Sequence, residues 1–323
     1  MRRRHLLKLL GSGALTFSIP VVANQETRAR PIRFIVTYPP GGQSDAIARL
    51  VAPRLGELLG TSVVVDNRPG ANGSIGVEIT ARAPGDGNTL LLGGGGNLIL
   101  APMLDSNVRY DAQRDFVPIA RIARMPLVLA SRSSLALTTT SQLVAHAREH
   151  PGKLTCASSG PLVRLALASI KATAALDIVD VPYKGIAPAV LDVLGGRVDL
   201  VLGDVATLAP HAAAGTLRVI ANASAERARA FPDVPTMKEQ GLSDFGWESW
   251  HGIVAPSATP ARTVAGLQKV LQKVRASAEF RKGLERLGFE PIDEAPEIFP
   301  AVLKQEMGRY RSLARQAGLR FGP

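Results

Sequence analysis

Residues Pro39-Pro40-Gly41-Gly42-Gln43-Ser44-Asp45 hold the clearest chemical potential in this chain. They follow an apolar run, Ile-Arg-Phe-Ile-Val-Thr-Tyr, from Ile32 to Tyr38. They precede Ala46, Ile47, Leu50, Val51, Leu55, Leu58 and Leu59, which repeat at helical spacing. The pattern is strand, sharp proline–glycine turn, helix. A glycine turn that enters a helix leaves backbone N–H groups without partners, and the helix dipole favours negative charge at the same place. The chemistry on offer is reception of an anion by main-chain donors. The same residues also suit a tight βα turn of the kind every α/β protein contains, so alone they leave both readings open.

Catalytic chemistry finds little support. His146 and His150 have metal-pair spacing with Glu149 between them, but the order is not that of a zinc protease and no third ligand is evident. A solvated helix end accounts for them. There is no G-x-S-x-G elbow. Gly70-Ala-Asn-Gly73-Ser-Ile-Gly76 does not match G-x-G-x-x-G, and Gly93 to Gly96 lacks an acidic residue placed for a ribose. Cys156 is the only cysteine, so internal disulfides and CxxC metal sites are excluded. It falls in a predicted strand and reads as a small core residue. No catalytic residue, metal or cofactor follows from these patterns.

The elements that must position the loop alternate almost to the end. Strand patterns occupy residues 32–38, 62–66, 88–93, 126–131, 154–158, 177–183, 199–204, 216–223 and 250–255. Helical patterns lie near 44–59, 73–82, 139–149, 162–175, 186–195, 260–276, 279–287 and 297–316. Such alternation predicts an α/β protein with doubly wound, mostly parallel sheets. Pro53 falls inside the first helical pattern, where it is placed to bend it. Two segments, 122–131 and 250–256, read as crossover strands. They divide the chain into a first lobe, 31–122 plus 254–323, and a second lobe, 123–253. Two such lobes make a cleft at the carboxyl ends of their strands.

Residues 1–23 read as an export signal: Arg2-Arg3-Arg4, then a short apolar stretch interrupted by Gly11, Gly13 and Pro20, then Val21-Val22-Ala23. It is too short and too interrupted for a membrane span. Arg3-Arg4-His5-Leu6-Leu7-Lys8 also resembles a twin-arginine signal, and the Sec route is equally open. The net charge of +11 falls to +7 without Arg2, Arg3, Arg4 and Lys8. The remaining basic residues are scattered, which argues against nucleic acid as a partner. A mild positive field suits small anions.

Several segments, in this order, then exceed a generic α/β pattern: Arg30-Pro-Ile-Arg-Phe-Ile-Val, Pro39-Pro-Gly-Gly-x-x-Asp45, Val64-Val-Asp-Asn-Arg-Pro-Gly70 and Asp86-Gly-Asn-Thr-Leu-Leu-Leu-Gly93. Tyr110-Asp-x-x-x-Asp-Phe116, Pro151-Gly-Lys-Leu154, Val181-Pro-Tyr-Lys-Gly185, Phe231-Pro-Asp-Val-Pro-Thr236 and Trp250-x-Gly252 follow. The ordered set, from Arg30 to Gly318, resembles the Bug family, the extracytoplasmic solute receptors of tripartite tricarboxylate transporters. The resemblance implies a two-lobed periplasmic-binding-protein fold of type II. It also implies a periplasmic monomer, a small carboxylate ligand, no cofactor, no catalysis, and membrane transporter subunits or a sensor as partners. A transferase-type enzyme on a similar fold is the competing class.

Carried onto this sequence, the resemblance assigns ligand contact to Tyr38, Pro40, Gly41, Gly42 and Asp45, with Asn67, Gly94 and Asn97 bordering the same lobe's mouth. Ser158, Ser159, Tyr183 and Lys184 face them from the second lobe, and Asp204 reaches the ligand's far end, where it disfavours a second charge. One departure stands out. The family usually follows Ser-Ser-Gly with a longer glycine loop ending in histidine, whereas here Ser159-Gly160-Pro161-Leu162-Val163-Arg164 is shorter and Arg164 takes the histidine's place. Arg164 is either a cationic contact to a carboxylate or a surface arginine on a helix start.

Overall fold

A computed structural model describes residues 30–242 and 246–316. Residues 1–23, read above as an export signal, and Gly318 lie outside the described residues.

The first sheet begins with three parallel strands, β1 (Ile32–Val36), β2 (Val63–Asn67) and β3 (Thr89–Gly93), in the order β2-β1-β3. The long strand β4 (Phe116–Arg132) comes next in the chain. The second sheet is built from β5 (Thr155–Ser159), β6 (Val179–Tyr183), β7 (Leu200–Asp204) and β8 (Leu217–Asn222). The chain then returns to the first sheet as β9 (Glu248–Pro256), antiparallel to β3 and β4, and as the short β10 (Glu290–Pro291) beside β4.

Strand β4 belongs to both sheets. Its residues Phe116 to Pro126 pair with β9, and Leu127 to Arg132 lie between β7 and β8. The sequence pattern places a strand at 126–131, within a crossing at 122–131, which would put Pro126 at or near the strand's beginning; the observed strand starts at Phe116. Pro126 instead falls at the last β9 pair, Pro126 to Glu248, where the strand changes partners and a missing N–H costs no ladder bond. Pro118 sits beside a register shift. The return crossing is not a long strand. Ala223 N–H bonds Leu127 C=O at 2.9 Å and Trp247 N–H bonds Ala223 C=O at 2.8 Å, just before β9 starts.

Helices cover both faces of each sheet, as a doubly wound fold requires. Helix α1 (Gln43–Leu59) runs unbroken through Pro53; α2 (Ser74–Ala81) follows β2, and a π-helical turn, Gly95–Leu100, leads into α3 (Ala101–Leu104). Helices α4 (Thr140–Glu149), α5 (Gly160–Ala174), α6 (Ile186–Leu194) and α7 (Val205–Ala213) serve the second sheet. Helices α8 (Ala261–Ala276), α9 (Ala278–Arg286) and α10 (Phe299–Gln316) close the chain. The π turn, α3 and α7 escape the sequence pattern, being short and rich in glycine or interrupted by Pro210.

Alternate residues of a strand face opposite layers. Phe34, Val36, Leu90 and Leu92 pack under α1 and α8 through Ile47, Val51, Leu55, Leu267 and Leu271. Ile35 and Leu91 face the other way, into a core that continues through Leu127, Leu129, Leu165 and Leu202 to Phe299 and Tyr310. Val128, Ala130 and Val201 meet Ala189, Val193 and Leu208 on the remaining face. Helix α10 packs on both β4 and α5, so it touches elements of both sheets.

A charged cluster clamps the place where β4 leaves the first sheet. Arg121 donates two hydrogen bonds to Glu294, at 2.7 and 2.6 Å, and its side chain is only 12% exposed. Arg124 lies 2.7 Å from Glu226, 3.0 Å from Glu290 and 3.5 Å from Glu248. Burial pushes the Glu248 carboxyl up from its ordinary range, against the pull of the two arginines. Removing one member of a buried set strands the others. Arg121→Ala is expected to lower unfolding free energy by about 3 kcal/mol in urea titration. Arg82→Ala, which breaks the exposed pair with Glu78, is expected to change it by less than about 0.5 kcal/mol.

Candidate functional site

The carboxyl ends of β1, β3, β5 and β7 converge on a cavity of about 460 Å³ between the two sheets. From the first sheet it is lined by Tyr38, Gly42, Gln43, Ser44 and the glycine run Gly93 to Gly96. From the second it is lined by Ser159, Gly160, Pro161, Ile186 and Asp204. Met125, Leu127, Leu162 and Val163 supply apolar wall, and Trp250 and His251 of β9 form the back.

Helix starts dominate the polar character. Gly42 caps α1 with extended backbone and no side-chain bond, and the first intrahelical bond runs from Ala46 N–H to Gly42 C=O. The N–H groups of Gln43, Ser44 and Asp45 therefore have no partner within the helix. Helix α5 starts the same way behind Ser159, with Pro161 in its first turn, and α6 behind Gly185. Helix α7 differs: the Asp204 carboxylate accepts from Thr207 N–H and Oγ1–H, both at 2.8 Å. Among the described residues that line the cavity there is no lysine and no arginine. What it offers an anion is backbone N–H groups at helix starts.

The loop shape is set by side chains behind it. Asp45 accepts from Gly41 N–H at 2.9 Å, Arg49 Nε at 2.9 Å and Asn67 Nδ2 at 3.0 Å. The Arg49 hydrogen bond leads in holding its carboxyl down at about 2. Asn97 accepts from Gly94 N–H at 2.8 Å and donates to Thr37 Oγ1 at 2.7 Å. Trp250 Nε1 donates to Glu306 Oε2 of α10 at 2.7 Å beneath the glycine run. A Cβ on Gly94 would lie 2.5 Å from the Trp250 carbonyl, so no side chain fits there.

The model of the tripartite tricarboxylate transporter family receptor matches residues 47–319. The chain belongs to the Bug family. Protein BugT of Bordetella pertussis is 32% identical to this receptor over 327 residues, spanning 99% of this chain and 100% of that one. The solved structure of R. palustris Rpa4515 with adipate superposes with a TM-score of 0.76 at 31% identity, over 91% of this chain and 99% of that one. MatC of Rhodopseudomonas palustris with bound malate gives a TM-score of 0.71 at 27% identity, over 88% and 99%. The two-lobed binding-protein fold of this Bug receptor agrees with these neighbours.

The structure brings Tyr38, Gly42, Gly94, Asn97, Ser159 and Asp204 to the cavity wall. Pro40 and Gly41 lie on the exposed side of the same loop, where Gly41 adopts φ +82° and gives its N–H to Asp45. Asp45 and Asn67 act from behind, as loop supports. Ser158 is buried and donates to Asp180 at 2.5 Å. Arg164 pairs with the other oxygen of Asp180 at 3.4 Å, and together with Tyr183 and Lys184 it lines a separate hollow of about 440 Å³ beyond the Gly160–Pro161 ridge. The Tyr183 hydroxyl donates to Asp192 at 2.7 Å, and burial leads in pushing it up to about 12.

Ser44 and His251 escape the sequence reading. Ser44 sits inside the quoted loop, and His251 is the unspecified residue of Trp250-x-Gly252; only their mutual approach, 2.9 Å between Oγ and Nε2, picks them out. Burial pushes the His251 imidazolium down to about 4, against an ordinary value near 6.5. Between those values the unfolded chain takes up a proton that the folded protein refuses. Stability therefore falls as pH drops from 6.5 to 4, by up to about 3 kcal/mol from this group. Urea titration across that window is expected to show a smaller acid loss in His251→Gln. Arg164→Ala is expected to leave carboxylate affinity unchanged in calorimetry, since its guanidinium faces Asp180 and the neighbouring hollow.

Proposed function

We propose that this receptor captures a small organic anion, carrying at least one carboxylate, in the interlobe cavity and delivers it to the membrane subunits of a tripartite transporter. The observation that carries the reading is the open start of α1. The N–H groups of Gln43 and Ser44, without helical partners, border a cavity whose described lining includes no lysine and no arginine. The adipate and malate held by two neighbours of the same fold support a carboxylate as the cargo. Membership of a receptor family supports capture and release in the periplasm without turnover; the reading takes the receptor as a monomer.

In this reading the lobes divide at Pro126–Leu127 within β4 and at Ala223–Trp247 on the return, and closure bends the chain at those two places. One carboxylate rests against Gly42 to Ser44, opposite the start of α5, which draws the second lobe in. Tyr38 supplies a wall with a hydroxyl tip. Asp204 disfavours a second charge beside it.

A thermal-shift panel of mono-, di- and tricarboxylates tests the reading. A true ligand at about 100-fold its dissociation constant is expected to stabilise the protein by about 2.7 kcal/mol and to reduce the radius of gyration in solution scattering. Gly42→Val is expected to abolish the response with little change in melting temperature. Gly42 has φ −79°, which any residue adopts, and an added Cβ meets nothing nearer than the Pro39 carbonyl at 3.4 Å. Shifts with neutral solutes and none with carboxylates would refute the anion.

A further inference from the structure

Ser44 lies in the first turn of α1, is 6% exposed, and borders the cavity beside the free N–H groups. Its hydroxyl approaches one protein group, Nε2 of His251, at 2.9 Å. A serine hydroxyl has one proton to give and lone pairs to accept with. The direction of this bond therefore decides whether the serine proton is spent on the protein or offered to the cavity.

The other ring nitrogen settles the direction. His251 Nδ1 is buried and has no hydrogen-bond partner. The Phe289 ring stands edge to face with the imidazole, 5.3 Å between centroids and 79° between planes, and brings no oxygen. A neutral imidazole carries its proton on one nitrogen. A buried N–H without a partner is a rarer and costlier defect than a bare lone pair. Placing the proton on Nε2 removes that defect and turns the ring into a donor toward Ser44. The serine oxygen then accepts, and its own proton is free.

We propose that Ser44 is the side-chain donor to the bound carboxylate and that His251 is the positioning residue that frees its proton by holding the Nε2–H tautomer. The inference rests on the carboxylate reading above. It adds one O–H to the N–H groups of Gln43 and Ser44, so that a carboxylate at the α1 start is met by a side chain as well as by backbone. Burial keeps His251 neutral through the ordinary histidine range. The arrangement thus persists across neutral pH. A protonated His251 would also donate to Ser44, so acid alone does not withdraw the serine proton.

Two measurements test this on the mature protein. Long-range nitrogen–proton NMR of the histidine rings, assigned with His251→Gln, is expected to show His251 as the Nε2–H tautomer at pH 7. The Nδ1–H tautomer would overturn the proposal whatever the protein binds. Calorimetric titration with acetate and adipate is expected to show about tenfold or greater loss of affinity in Ser44→Ala, the range of a charge-assisted hydrogen bond. In His251→Leu the loss is expected to be smaller, and absent when Ser44→Ala is already present. Wild-type binding that Ser44→Ala leaves unchanged would overturn the role of Ser44 and spare the carboxylate reading. A wild type that responds to no member of the mono-, di- and tricarboxylate panel would remove both.

Discussion

The Asp45 carboxylate accepts from the Gly41 backbone, the Arg49 guanidinium and the Asn67 amide at once, and it is almost wholly buried. These bonds tie the glycine loop, the second turn of α1 and the end of β2 into one unit. Asn67 adds a bond to the Tyr38 carbonyl at 3.1 Å. An open helix start attracts anions only while its N–H groups stay aimed at one point, and Asp45 fixes that aim without occupying it. A carboxylate with three donors is content to remain charged, which is why it takes up a proton only in strong acid. The cavity beside it can therefore be electrically receptive though no lysine or arginine lines it among the described residues.

Much of the fold was legible in the residues. Apolar spacing marked α1, α8 and α10, because each presents one stripe to a sheet and such stripes survive in sequence. The start of β4, Phe116 to Arg121, fell outside the expected strand and crossing: it contains Pro118, and the cost of a proline depends on partner strands that no local window contains. Helix α7 was missed because Pro210 interrupts its short pattern and because its start is declared by Asp204, a carboxylate after a strand that reads equally well as a ligand contact. Glycine runs told where the cavity mouth would be, since close backbone approach demands them at Gly94. They did not tell which side chains would turn inward. Ser158 and Ser159 are neighbours on a strand, and the pleat sends only the second to the cavity while the first meets Asp180. Arg164 was balanced between two roles until Asp180, from a different strand, was seen beside it.

The two sheets are joined by unequal links. One is a strand shared between both, stiffened at its exit by Arg121 and Arg124 and their four glutamates. The other is a pair of hydrogen bonds around Ala223 and Trp247. Arg309 of α10 covers the Trp247 ring at 4.6 Å and donates to the Gly246 carbonyl at 3.1 Å, so the weaker link is held from outside the strands. Helix α10 also supports Trp250 beneath the glycine run. The same helix thus supports both the return link and the floor of the cavity.

The outer strand of the second sheet has a consequence for how these molecules meet one another. Strand β6 pairs only with β5 among the described strands, leaving its far edge open, and Val179 on it is 44% exposed. An open edge with apolar side chains is a template on which another chain can extend the ladder. Pro182, the fourth of the five residues of that template, has no N–H to give. The proline that opens the Tyr183-Lys184-Gly185 turn thereby also breaks the hydrogen-bond register an incoming strand would need, and works against stacking of receptors edge to edge.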